Sequence, residues 1–166
     1  MVTVYIWMPS GGNIGHSSIQ IGPNYLSFWP GGAGIGSKEE AMGAHPPALM
    51  PDLAADKLNE GCDPHETIQI FGLDENAMTV FYNRFVTVAP DYHLKFNNCS
   101  QPVKIALYEG SHHTPPNFHV YADPADYPLP DAGRLEGWVR STWNPLDVAR
   151  YARQLQSSSR ASAPTP

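Results

Sequence analysis

The spacing of apolar residues near the start of the chain predicts β-strands. Val2–Trp7 is rich in β-branched and aromatic residues, and from His16 onward Ile19 and Ile21 alternate with polar neighbours. Glu66–Phe71 has a similar composition further along the chain. We therefore expect a sheet that takes strands from both segments.

A turn sequence, Gly22-Pro23-Asn24, makes the strand from His16 the first arm of a β-hairpin. With the last two of these residues as the turn, Gln20 pairs with Ser27. Side chains alternate along a strand, so Ser27 and Trp29 would then share the face of His16. This register places the Ser27 hydroxyl near the imidazole, where it can orient the ring.

Two later segments are predicted to be helical. Asp74 is expected to cap a helix that continues to about Phe85, and a terminal helix is expected over Leu146–Leu155. The apolar stripe of the first helix consists of Ala77, Val80, Phe81 and Phe85. A stripe of this kind packs against a core and does not bind a cofactor.

Residues 30–64 are rich in Gly, Pro, Ala and Met and have no clear periodicity. A short helix is expected at Ser37–Met42, where Ser37 and Glu40 form a capping-box pattern. The segment is either an irregular connection or a loop over the sheet edge that shapes a substrate cleft.

The length of 166 residues and the hydrophobic content of 42% suit one compact domain. We place this domain at residues 1–156 and expect a disordered tail at 157–166. A net charge of −6 with 10 Lys and Arg residues argues against a nucleic-acid partner. We expect neither a membrane span nor a signal peptide, because no segment has the required apolar length or leader pattern.

Two cysteines, Cys62 and Cys99, are present. A disulfide between them would occupy the Cys99 thiol, and the lack of a paired framework favours free thiols in a reducing compartment. Candidate zinc ligands in the sequence are Cys62, His65, His112, His113 and His119. Their spacing matches no zinc motif, and no Gly-rich segment fits a cofactor fingerprint, so we expect neither a metal nor a cofactor.

Cys99 stands at the start of a predicted helix, because Val103, Ala106 and Leu107 follow it at the spacing of one apolar face. The partial positive charge and unpaired N–H groups of a helix start stabilise a thiolate and can bind an oxyanion. Taken alone, such a cysteine is more often a small buried hydrophobe. His16, taken alone, is more often a hydrogen-bonded structural residue.

Five segments form an ordered set, namely Gly15–Ile19, Phe28–Pro30, Phe71–Glu75, Asn97–Ser100 and Ala106–Gly110. This set resembles the circularly permuted papain-like cysteine hydrolases, which include NlpC-type peptidases, lecithin:retinol acyltransferase-like enzymes and desumoylating isopeptidases. In that group a Gly-His strand precedes an Asn-Cys helix start. More narrowly, the chain is similar to domains of bacterial secreted toxins.

The resemblance implies an α+β fold in which an antiparallel sheet carrying His16 packs against a helix that starts at Cys99. It makes Cys99 the nucleophile, His16 the general base and Ser27 the third polar residue, where relatives more often have His, Asn or Gln. The site is therefore either a triad or a dyad. Asn98 and the backbone N–H of Cys99 are expected to bind the oxyanion, and Trp29 is expected to line the substrate groove.

The same resemblance implies a cysteine peptidase or amidase that forms a thioacyl enzyme with a protein or peptide substrate. It would be a secreted effector module that acts in the reducing cytosol of a target cell, with a cognate immunity protein as partner. Two alternatives remain open. One is a peptidoglycan amidase, endopeptidase or acyltransferase on the same residues, and the other is a non-catalytic module that binds through Tyr25, Phe28 and Trp29.

Overall fold

The computed structural model describes residues 1–9, 13–32, 43–115 and 143–161, which form an α+β fold. The strands are β1 (Val2–Trp7), β2 (His16–Ile21), β3 (Asn24–Leu26), β4 (Phe28–Pro30), β5 (Pro47–Leu49) and β6 (Glu66–Ile70). The helices are α1 (Leu53–Glu60), α2 (Glu75–Thr87), α3 (Ser100–Ser111) and α4 (Pro145–Ala161). An antiparallel sheet has the strand order β3-β2-β1-β6, and β4 pairs with β5 in a second, two-stranded sheet.

The two faces of β2 meet different partners because its side chains alternate. Ser17 faces α3, where its hydroxyl lies 3.2 Å from that of Ser100. Ser18 faces the opposite side, where its hydroxyl lies 2.7 Å from that of Tyr25. His16 shares the Ser18 face. One face of β2 therefore packs against the helical layer, and the other carries a buried polar cluster.

Three predicted elements are confirmed closely. β1 has the expected bounds, and α3 begins directly after Cys99. α2 begins after Asp74, whose carboxylate accepts hydrogen bonds from the backbone N–H groups of Asn76 and Ala77. These elements could be predicted because a cap or a strong local pattern marks each of them.

The predicted apolar stripe of α2 is wrong at Val80, which is 69% exposed. Met78 takes its place in the core with Phe81 and Phe85. The three buried residues are spaced by three and four positions, so the buried stripe is narrower than the sequence suggested.

The predicted register of the hairpin is also wrong. Gln20 pairs with Tyr25, not with Ser27, because Gly22 and Pro23 form the turn. Gly22 has a φ of 53°, and glycine at the first turn position suits the tight turns that join antiparallel strands. The correction is a shift of two residues, which leaves every side chain on its expected face.

Residues 43–64 contain two elements that the sequence analysis did not predict, β5 and α1. The helix predicted at Ser37–Met42 lies outside the described residues. At the other end of the chain, α4 continues to Ala161, so residues 157–161 are helical and the expected start of a disordered tail at 157 is wrong.

The serine side chains near the end of α4 are accommodated within the helix. The hydroxyls of Ser157, Ser158 and Ser159 each donate a hydrogen bond to the carbonyl four residues earlier. These bonds satisfy the serine side chains within the helix. Within the described part of the chain, no helix has the length and hydrophobicity to cross a bilayer.

Candidate active site

Cys99 lies at the first turn of α3. Its backbone is already helical, with φ −55° and ψ −29°, and its side chain is 3% exposed. The residues of the apolar face behind it, Val103, Ala106 and Leu107, are fully buried. The packed helix therefore holds the Cys99 thiol at the positive end of the helix dipole.

A hydrogen bond joins the segments of the two main candidates. Ser17, which follows His16, lies 3.2 Å from Ser100, which follows Cys99, although these serines are 83 positions apart in the chain. Both serines are fully buried. The fold thus brings the start of β2 into direct contact with the start of α3.

The His16 imidazole is fully buried. Its Nε2 lies 2.9 Å from the Ser27 hydroxyl, so Ser27 occupies the place that the sequence analysis expected. The indole of Trp29 lies beside the ring at 4.7 Å between centroids, and that of Trp7 lies at 5.6 Å. These contacts hold the imidazole in one orientation.

A carboxylate that sequence reasoning missed completes the cluster. Asp56 of α1 is fully buried and accepts a hydrogen bond from Ser27 at 2.7 Å, and its Oδ2 lies 3.4 Å from His16 Nε2. It also accepts hydrogen bonds from the Trp29 indole at 2.9 Å and from the Tyr25 hydroxyl at 2.5 Å. The side chains of His16, Tyr25, Ser27 and Trp29 therefore all converge on the Asp56 carboxylate.

The ends of α1 carry signals that could have revealed the helix. Asp52 caps it by accepting a hydrogen bond from the Ala55 N–H at 2.9 Å, and Gly61 ends it with a φ of 73°. An aspartate before and a glycine after a run of helix-forming residues is a typical pair of boundaries. Nothing local marks Asp56 itself, because its partners lie far earlier in the sequence.

The electrostatics of the cluster favour an ionised Asp56. Burial alone would raise the pKa of this carboxyl, but hydrogen bonds from His16, Tyr25 and Ser27 and the charge of His16 lower the pKa to about 2. Burial and the neighbouring charge of Asp56 raise the pKa of Tyr25 far above its usual range. Tyr25 therefore stays protonated and donates a hydrogen bond to the carboxylate.

The side chain of Asn98, which was expected to help bind the oxyanion, is hydrogen-bonded within the protein in this structure. Both N–H bonds of its side-chain amide are used, because Nδ2 donates to the carbonyls of Leu94 at 3.0 Å and Trp143 at 2.8 Å. Its Oδ1 accepts a hydrogen bond from the Ser100 N–H at 2.9 Å. Asn98 joins the start of α3 to the segment before α4, and both of its amide N–H groups are engaged in this structure.

Trp29, which was expected to line a substrate groove, is half-buried. Its indole N–H is shared between Asp56 and the Ser27 hydroxyl, which lies at 3.1 Å. Its ring covers His16. Trp29 is therefore part of the hydrogen-bonded cluster around the imidazole.

Other sequence candidates lie apart from this cluster. Cys62 is exposed and both cysteines are free, so the disulfide considered above does not form in this structure. His65 accepts a hydrogen bond from the Met8 N–H, and His112 ends α3. His119 lies outside the described residues. Within the described ranges, no group of three His, Cys, Asp or Glu side chains is placed to hold a metal ion.

The surface required by the non-catalytic alternative is not available at two of its three residues. Phe28 is fully buried in the core, and Tyr25 is 7% exposed and bound to Asp56. These two aromatic residues therefore cannot present a contact surface to a partner.

No protein-family model matches the chain, and searches among curated proteins and solved structures found no match either.

Proposed function

We propose that this protein is a cysteine-dependent hydrolase with a permuted papain-like arrangement, in which His16 precedes Cys99. The observation that carries the proposal is the buried His16 imidazole, held by Ser27 and Asp56 on a strand that hydrogen-bonds to the start of α3. A thiol at a helix start next to a strand with an anchored imidazole is the equipment of thiolate catalysis.

In the proposed reaction, His16 takes the proton of the Cys99 thiol. The thiolate then attacks the carbonyl carbon of an amide, a C–S bond forms, and the carbonyl oxygen becomes an oxyanion near the backbone N–H groups of the α3 start. Collapse of this intermediate breaks the C–N bond, and the leaving amine takes the proton from His16. Water then hydrolyses the thioacyl enzyme.

We propose a protein or peptide as the substrate and an effector module of a secreted bacterial toxin as the biological setting. The ordered motifs support this setting by resemblance. A peptidoglycan bond is the second candidate substrate, because the same chemistry cleaves it. A neutralising immunity protein would be the partner of such a toxin.

The pH dependence of thiol alkylation tests the activation of Cys99. Iodoacetamide labelling followed by peptide mass spectrometry gives a rate for each cysteine, and the exposed Cys62 is a reference within the same molecule. We expect the Cys99 profile to inflect clearly below that of Cys62, because the helix start and His16 stabilise the thiolate. A Cys99 profile that inflects no lower than that of Cys62 would contradict the proposal.

Growth of bacteria tests the substrate and the setting. The wild type, Cys99→Ala and the control Cys62→Ala are expressed in the cytosol and, with an export signal, in the periplasm. We expect the wild type and Cys62→Ala to stop growth in the cytosol and Cys99→Ala to be harmless. Toxicity confined to the periplasm would favour a peptidoglycan substrate, and equal growth of all three would count against a toxin.

A further inference from the structure

The Ser27 hydroxyl makes three hydrogen bonds, which is the capacity of a hydroxyl group. It donates its proton to Asp56 Oδ1 at 2.7 Å, and it lies 2.9 Å from His16 Nε2 and 3.1 Å from Trp29 Nε1. The indole N–H is always a donor and an ionised carboxylate is always an acceptor. Ser27 therefore has no proton to offer His16, and His16 Nε2 must be the donor.

A second contact leads to the same assignment. Asp56 Oδ2 lies 3.4 Å from His16 Nε2 and accepts the Tyr25 hydroxyl proton at 2.5 Å. An imidazole whose Nε2 carried a lone pair would face this carboxylate with repulsion. The polar hydrogens of Tyr25, Ser27, Trp29 and His16 Nε2 are thus directed to Asp56, either directly or through the Ser27 hydroxyl. Asp56 belongs to α1 and not to the sheet that carries His16.

We propose that Asp56 is a positioning residue that fixes the proton of His16 on Nε2, both directly and through the Ser27 hydroxyl. The inference rests on the proposed function, because it assigns a role to Asp56 in that reaction. With the proton on Nε2, Nδ1 is the ring nitrogen that takes the Cys99 proton. The resulting imidazolium then has an N–H that already points at Ser27 and Asp56, whose negative charge stabilises it.

The first test is the alkylation profile of Cys99 in a Cys62→Ala background, where Cys99 is the remaining thiol. Asp56→Asn keeps the shape of the side chain and removes its charge. We expect the inflection of the Cys99 profile to rise by about one pH unit or more, which is about a tenfold loss of rate below the inflection. If Asp56 had only a structural role, Asp56→Asn would lower the stability and leave the pH dependence of Cys99 alkylation unchanged.

Asp74→Asn is the matched control, because Asp74 is a second aspartate at a helix, accepts two backbone hydrogen bonds and lies at the start of α2. We expect it to lower stability and leave the Cys99 profile unchanged. Circular dichroism checks that each variant is folded. If Asp56→Asn does not fold, the tautomer of the His16 ring decides, because it is measured with Asp56 and Ser27 both in place.

The second test observes the tautomer directly. In Cys99→Ala, nitrogen-15 NMR of the neutral His16 ring distinguishes a proton on Nε2 from a proton on Nδ1. We expect Nε2–H, and a ring with its proton on Nδ1 would overturn the inference.

The outcomes separate this inference from the function on which it rests. A Cys62→Ala parent with an ordinary cysteine profile at Cys99 would contradict the proposed hydrolase. A parent with a low inflection that Asp56→Asn leaves unchanged would contradict only the role of Asp56.

Discussion

At the scale of single residues, the direction of each hydrogen bond decides what a side chain can do. Asn98 and Ser27 are both buried polar residues near the candidate site, and the sequence analysis gave both a catalytic role. The Asn98 amide donates its hydrogen bonds to backbone carbonyls, whereas the Ser27 hydroxyl is hydrogen-bonded to the His16 imidazole. Their identities alone could not separate these roles, because the partners are set by the fold.

We predict that Asn98→Ala lowers the free energy of unfolding by about 2–4 kcal/mol, because an unsatisfied buried polar group costs about 1–3 kcal/mol. The substitution leaves the Leu94 and Trp143 carbonyls and the Ser100 N–H without this partner. Urea unfolding measures the change. Asn97→Ala is the control, because the Asn97 amide bonds an exposed carbonyl and its loss should cost less than about 1 kcal/mol.

We also predict a pH-dependent contribution of Asp56 to stability. Its pKa is lowered to about 2 in the folded protein, so the unfolded chain binds more protons between about pH 4 and pH 2. The contribution, about 2 kcal/mol, is present above about pH 4 and is lost as the pH falls through the folded pKa. The difference in unfolding free energy between wild type and Asp56→Asn should narrow between pH 5 and pH 2.5, and a constant difference would contradict the assignment.

At the scale of elements, the sequence analysis found the elements that an apolar pattern marks and missed α1, whose local signals are its caps, Asp52 and Gly61. β1 and α3 have apolar patterns that mark them, and α2 has its cap. α1 has no such apolar pattern, because Asp56 is its one buried residue. The buried face of α1 could therefore not be predicted from an apolar pattern, because the residue that it buries, Asp56, is polar.

A pair of capping variants tests whether α1 is coupled to the site. Asp52→Ala and Asp74→Ala each remove a capping aspartate, and each should lower the free energy of unfolding by about 1 kcal/mol. We expect Asp52→Ala alone to raise the inflection of the Cys99 alkylation profile and to speed hydrogen exchange in α1, because α1 carries Asp56. Equal Cys99 alkylation profiles in the two variants would show that the stability of α1 does not affect the site.

At the scale of the whole molecule, the α+β class agrees with the expectation drawn from the resemblance. The order of the patterns supports it, because the predicted strands precede residue 72 and the predicted helices with apolar faces follow it. The sheet order could not be predicted, since it depends on the pairing of β1 with β6, which are distant in sequence. The permuted papain-like arrangement stays a prediction that rests on ordered motifs and on the site geometry.

The role of α4 in closing the core gives a further prediction. Its buried face is formed by Val148, Ala149, Tyr151, Ala152 and Leu155. Leu155→Ala should lower the free energy of unfolding by about 2–4 kcal/mol, as is usual for a buried leucine. Removal of residues 157–166 should cost less than about 1 kcal/mol, because Ser157 and Ser158 are exposed. Thermal unfolding compares the two, and the reverse order of effects would contradict this view of α4.

The single buried carboxylate of α1 also has a consequence for how sequences of this kind diverge. Selection for catalysis would preserve Asp56, while the exposed positions of the helix, such as Leu58, are free to drift. Under the proposed function, a copy that lost Cys99 would lose the pressure to keep the aspartate as well. In a lineage of such domains, the residues at positions 16, 56 and 99 should therefore be retained or lost together.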